Sequence, residues 1–204
     1  MKRVKILLLS VFVLCLVLSA CSREVPYRLS KGYAEASPVT LLVLPVEGRR
    51  GSAEVKGLLR DTVTERLLNM GYRIVNPERV NDAYLRISPE RLEKLSPDEM
   101  CELFDADAVL YTKMTVWRER LFLNYASLKI GAAFKLYSKG GTRLWKAKYK
   151  TKESDLRFDK EFMKLSVIEA YEPRVHRVVD AVFSTLPVRV ARKEEGKKFF
   201  DWLP

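Results

Sequence analysis

Residues 97–117 read PDEMCELFDADAVLYTKMTVW and carry a helix directly into a strand. Ser96 and Glu99 stand three apart around Pro97, the capping-box spacing in which each side chain satisfies a backbone amide of the first turn. The pattern predicts a helix over Pro97 to Phe104 and a strand over Ala106 to Trp117 (ADAVLYTKMTVW). Cys101, between Met100 and Leu103, reads as a small residue packed against that sheet rather than as a reactive thiol.

Downstream, Tyr125 to Ser138 (YASLKIGAAFKLYS) alternates with period two. Ala126, Leu128, Ile130, Ala132, Phe134 and Leu136 fall on one face, and Lys129 and Lys135 on the other. Gly140-Gly141 makes a hairpin turn into a third strand, Arg143 to Thr151, so this part is an antiparallel meander with one buried face. In the third strand and just beyond it Lys146, Lys148, Lys150 and Lys152 alternate with Ala147, Tyr149 and Thr151. Period two puts the four lysines on one sheet face or along an edge. They read either as a solvated strand guarded against edge pairing or as a basic interaction stripe for an anionic membrane or partner.

Helical spacing returns from Asp159, with an apolar stripe of Val175, Val178, Val179, Val182, Phe183 and Leu186. Pro173 is expected to kink or divide this helix and Pro187 to end it. Upstream, Val39 to Val46 (VTLLVLPV) is a continuous apolar run of the kind covered on both faces, hence a central strand. Val55, Leu58, Leu59, Val63, Leu67 and Met70 form a helix capped by Gly71, Tyr72 to Val75 a short strand, and Asn76-Pro77 the start of a further helix. Ser88-Pro89-Glu90 repeats that start signal. The fold class is α/β (α+β), with helices packed on a sheet that ends in the antiparallel meander.

The N-terminus is different in kind. Met1 to Lys5 is basic and Ile6 to Leu18 is apolar apart from Ser10, the pattern of a signal peptide and too short for a bilayer crossing of about 20 residues. It ends Leu18-Ser19-Ala20-Cys21, which looks like the lipobox of bacterial lipoproteins: Leu18, Ser19 and Ala20 would be read by the signal peptidase, and the Cys21 thiol would carry the lipid. Two or three acyl chains hold a protein on a membrane without a spanning helix. Ser22 follows the cysteine instead of the Asp that typically retains lipoproteins at an inner membrane, so the expected place is the outer membrane, facing the periplasm. The organisation read from the residues is signal peptide 1–20, flexible tether 21–37, one domain over 38–187 and a basic, aromatic tail over 188–204. In the tail, Phe199, Phe200 and Trp202 could fold back or dock on a partner.

Of 204 residues, 48% are hydrophobic, enough to build one core. The formal charge is +11, and Lys2, Arg3 and Lys5 leave with the signal. A basic domain tethered outside the cytoplasm meets anionic lipid or acidic protein before nucleic acid. Once Cys15 is removed and Cys21 acylated, Cys101 has no partner for a disulfide. His176 is the only histidine and has no companion ligand in the sequence. No GxSxG, P-loop, HExxH or CxxC occurs, so the residues offer no catalytic constellation, metal site or cofactor.

Three stretches, LLVLP (41–45), GYRIVNP (71–77) and ELFDADAVLY (102–111), resemble the signature of a family of bacterial outer-membrane lipoproteins of unknown function, first noted among neisserial antigens. The last is similar to a segment of a wider group: the curli-secretion channel lipoprotein, the N-terminal domain of TolB and the lipoprotein activators of peptidoglycan synthases. The resemblance implies a mixed sheet with helices packed against it, TolB-N-terminal-like, used for protein contacts in the envelope. Asp105 stands where that family usually has Gly, and Val46 follows Pro45 where a second Pro is common, which leaves the turns at both places open. The expected function is a membrane-anchored assembly module that binds other envelope proteins or copies of itself, in the manner of an accessory to a curli-type secretion channel. The alternative is an activator of a cell-wall synthesis enzyme or a carrier of an amphipathic envelope molecule.

Overall fold

A computed structural model describes residues 24–87, 89–92, 94–122, 125–156 and 167–189. Six strands form one mixed sheet: β1 (Tyr27–Leu29), β2 (Thr40–Val43), β3 (Arg73–Ile74), β4 (Ala108–Phe122), β5 (Tyr125–Ser138) and β6 (Arg143–Leu156), in the spatial order β1-β6-β5-β4-β2-β3. β2 pairs in parallel with both β3 and β4. β4, β5 and β6 form the antiparallel meander, and β1 closes its free side by pairing antiparallel with β6.

The helices are α1 (Tyr33–Ala36), α2 (Ala53–Asn69), α3 (Pro77–Arg86), α4 (Pro89–Leu92), α5 (Pro97–Phe104) and α6 (Val167–Phe183). The apolar run of β2 is split by the pleat: Leu41 and Val43 enter one core and Leu42 and Leu44 the other. The larger core lies between the sheet and the pair α2 and α6, where Leu59, Val63 and Leu67 meet Val175, Val179 and Phe183 over Phe134 and Trp145. Arg66 and Asp180 bridge those two helices at 3.4 Å. The smaller core lies on the opposite face, where Val80, Leu92, Met100, Cys101 and Phe104 cover Leu42 and Val109. Of these helices α5 reaches β5 near Tyr137, and further along the meander Lys135 and Lys148 are exposed and Lys146 is half-buried on the same face.

Several expectations change in detail. Residues 27–36, expected within a flexible tether, include β1 and α1, because the amides and carbonyls of Tyr27 to Leu29 extend the ladder of β6. Pro173 does not divide α6; it sits on the exposed side of one continuous helix, and the packed stripe from Val175 to Val182 passes unbroken beside it. The third meander strand runs to Leu156 instead of Thr151, and helical structure at 159–166 lies outside the described residues. At the other end Arg189, placed in the tail by the sequence, donates its amide to the Met70 carbonyl (2.9 Å) and its guanidinium to the Pro38 carbonyl (3.2 Å), which ties it to the domain.

Asp105 ends α5 in the left-handed region, φ 55° and ψ 52°. That is the conformation glycine adopts without cost, and an L side chain there costs of order 1 kcal/mol. Asp105→Gly is expected to raise stability by about 0.5 kcal/mol, because the greater freedom of glycine in the unfolded chain offsets part of that cost. Urea midpoints of the two proteins check this, and an unchanged or lower midpoint would show that the Asp105 side chain stabilises the turn.

Candidate functional site

The four lysines of β6 are placed by the register. Lys146 is half-buried, and Lys148 and Lys150 are exposed, on the face turned away from Trp145 and Ala147. Lys152 continues the alternation in the backbone of β6, and its side chain lies outside the described residues. The stripe is not a bare edge, since β1 pairs with β6 at Trp145–Ala147 and the Lys148 amide donates to the Pro26 carbonyl (3.2 Å).

Neighbouring strands extend it. Lys135 stands opposite Lys146, Lys113 opposite Ala133, and Arg28 of β1 opposite Lys146 on its other side. Arg28, Lys113 and Lys135 are exposed. The outward position of Lys135 follows from period two, whereas the place of Lys113 needed the register of β4 against β5. Arg28 could not be placed before β1 was known to be a strand.

Beside this face, at the carboxyl end of β2 and against Tyr111 to Thr115 of β4, is an open groove of about 850 Å³. Leu44, Leu92, Met100 and Tyr111 give it an apolar floor, and Glu47, Arg49, Arg50 and Lys113 a charged rim. Open α/β sheets take ligands at this end of their strands. Tyr111 meets Tyr137 edge-on with ring centroids 5.8 Å apart, and burial pushes its hydroxyl up to about 12. It remains a neutral hydrogen-bonding group at any physiological pH. Arg60, buried beneath β2, gives its Nη2 (3.0 Å) and Nε (3.3 Å) to the Val43 carbonyl and its Nη1 to Asn81 Oδ1 (2.6 Å), which fixes α2 and α3 to the strand end.

At the opposite end of the strands, the Tyr33 and Tyr72 hydroxyls bond each other, and Tyr72 donates to the Pro187 carbonyl (2.6 Å). Desolvation raises both tyrosines above the ordinary phenol range. Asp107 Oδ2 accepts the amides of Val39 (2.9 Å) and Thr40 (2.8 Å) and so positions the start of β2. These are structural ties.

Cys101 is fully buried in the smaller core, and desolvation raises its thiol to about 11, so it carries almost no thiolate near neutrality. His176 lies half-exposed on α6, its Nε2 3.8 Å from Glu172 Oε1. Among the described residues no group of His, Cys, Asp and Glu could hold a metal ion, and no helix is long and apolar enough to cross a membrane. Leu18, Ser19, Ala20 and Cys21, and the tail residues Phe199, Phe200 and Trp202, lie outside the described residues.

The family model described as "Putative lipoprotein GNA1162-like" matches residues 30–190. No curated protein matches the sequence. Among solved structures, lipoprotein GNA1162 from Neisseria meningitidis is 16% identical with a TM-score of 0.52, over 70% of this chain and 99% of that one. The PelC dodecamer from Paraburkholderia phytofirmans is 15% identical with a TM-score of 0.53, over 81% of this chain and 99% of that one. At these identities the likeness is one of fold.

Proposed function

We propose, on the premise that the chain belongs to the GNA1162-like lipoprotein family, that it is a lipid-anchored assembly module of the outer membrane facing the periplasm. Its lipid sits on Cys21, after cleavage at Leu18-Ser19-Ala20. It acts by binding other envelope proteins or further copies of itself, as an accessory to a secretion channel of the curli type, and has no catalytic role. The observation that supports this best is the shared fold with PelC, whose crystals hold a dodecamer. Twelve copies of such a fold assemble by burying surface against their own kind, which supports a role through contacts.

The groove beside Tyr111 supports a second reading, carriage of an amphipathic envelope molecule: an apolar floor with Arg49, Arg50 and Lys113 at its rim suits an acyl chain with an anionic head. One experiment separates the two. The lipidated protein is cross-linked in intact cells, purified from its membranes, and its co-purifying chains and lipids are identified. Discrete complexes of several copies or with other lipoproteins are expected. A monomer bearing a stoichiometric lipid would favour carriage, and capture of a cell-wall synthase alone would favour an activator. Palmitate labelling that persists in Cys21→Ala would remove the anchor.

A further inference from the structure

The lysine-bearing face of the meander is more uniformly charged than a solvated surface requires. Across the strands Arg28 faces Lys146, and Lys146 faces Lys135. Like charges directly opposite each other destabilise a sheet. No Asp or Glu occupies residues 111–118, 129–137 or 143–150 of the three long strands to offset them. Protection from edge pairing does not account for this arrangement, because β5 is an interior strand and β1 already covers β6 where Lys146 sits. A face that holds repelling cations together in the folded chain is complementary to an anionic surface.

The chain's own attachment point says which surface. β1 begins at Tyr27, six residues beyond Cys21. A fully extended chain covers at most about 3.5 Å per residue, so a lipid on Cys21 keeps β1 within about 20 Å of the bilayer. Arg28, at the margin of the basic face, is on that strand. Electrostatic attraction acts over about 8 Å at physiological salt, and a tether with an upper limit of about 20 Å lets the face come within that range. We propose that the basic face of β1, β4, β5 and β6 lies against the anionic phospholipid headgroups of the membrane that carries the anchor. It is a second attachment that turns the α2 and α6 layer away from the bilayer, towards partners. This inference rests on the lipidation of Cys21.

The test uses the full lipidated protein, reconstituted in vesicles of phosphatidylcholine alone or of equal parts phosphatidylcholine and phosphatidylglycerol. A water-soluble amine-acylating reagent is applied and each lysine is quantified by mass spectrometry. Acylation of Lys135, Lys146 and Lys148 is expected to fall about fivefold in the mixed vesicles and to recover at about 0.5 M salt, while Lys56 on α2 does not change. The triple variant K135E/K146E/K148E should melt at no lower temperature than the parent, and acylation of its remaining exposed lysines Lys113 and Lys150 should no longer depend on vesicle composition. Equal acylation of these lysines in both vesicles, or protection of Lys56 in their place, overturns the proposal. Flotation scores the anchor separately: a chain that floats only with mixed vesicles, in a salt-sensitive way, removes the anchor and keeps the face, and one that floats with neither overturns both.

Discussion

Trp145→Ala should cost about 4–5 kcal/mol of folding free energy, the upper part of the range for removing a buried large aromatic. Trp145 is fully buried where β6 meets the end of α6. Its ring stands 5.4 Å from that of Phe183 and 6.3 Å from that of Phe134, so three elements lose contact together when it is truncated. Its Nε1 also donates to Thr185 Oγ1 (3.1 Å), which in turn donates to the Val182 carbonyl (2.7 Å), so the indole anchors the last turn of α6 as well as filling the core. In a domain of this size the loss corresponds to a fall in melting temperature of roughly 10–15 °C. Trp145→Phe keeps most of the volume and removes the donor, and about 1–2 kcal/mol is expected. Thermal and urea unfolding followed by circular dichroism measure both. A loss below about 2 kcal/mol for the alanine variant would mean that α6 does not pack on β6 as described.

Trp145 also shows why much of this fold could be read in the residues. Trp145 to Tyr149 alternates with lysines, Ile130 to Leu136 keeps strict period two, and a face buried on one side imposes that pattern. Leu41-Leu42-Val43 reads as a doubly covered strand because both of its faces enter cores. The elements that escaped reading are those whose existence does not depend on burial. In β1, Tyr27 and Leu29 remain 56% and 39% exposed, and only the hydrogen-bond ladder to β6 makes the segment a strand. Three residues with no periodic burial leave no trace in composition.

The functional surface divides in the same way. The lysines of β6 are visible as an alternation within one segment. Their meaning depends on the cross-strand neighbours Lys135, Lys113 and Arg28, which are distant in sequence and meet only through register. The groove was not legible at all, since its floor combines Leu44 after β2, Leu92 of α4, Met100 of α5 and Tyr111 of β4. Cys101, by contrast, was readable as a packed residue, because Met100 and Phe104 set the helical face on which it lies.

Gly48→Ala should cost about 3 kcal/mol or more, although it adds a single methyl to a surface loop, from overpacking and backbone strain together. Gly48 has φ +115°, and a Cβ built on it would stand 2.4 Å from the Met114 carbonyl oxygen. That oxygen cannot step aside cheaply. The Glu47 amide donates to the Thr112 carbonyl (2.9 Å) and the Met114 amide donates to the Glu47 carbonyl (2.8 Å), which lash the loop to β4. The register of β4 against β5 shifts between Met114 and Val116 at the same place. Any movement that relieves the clash therefore breaks loop bonds or disturbs the bulge, and displaces Arg49 and Arg50 from the rim of the groove. Gly57→Ala is the matched control: it lies within α2 with nothing within 4 Å of the added methyl, and alanine there should stabilise the helix by about 1 kcal/mol. The two substitutions are chemically identical and opposite in expected sign, so composition or helix propensity alone cannot produce the difference. Equal melting temperatures for the two variants would show that the loop does not lean on β4, and that the groove's rim is not held by this contact.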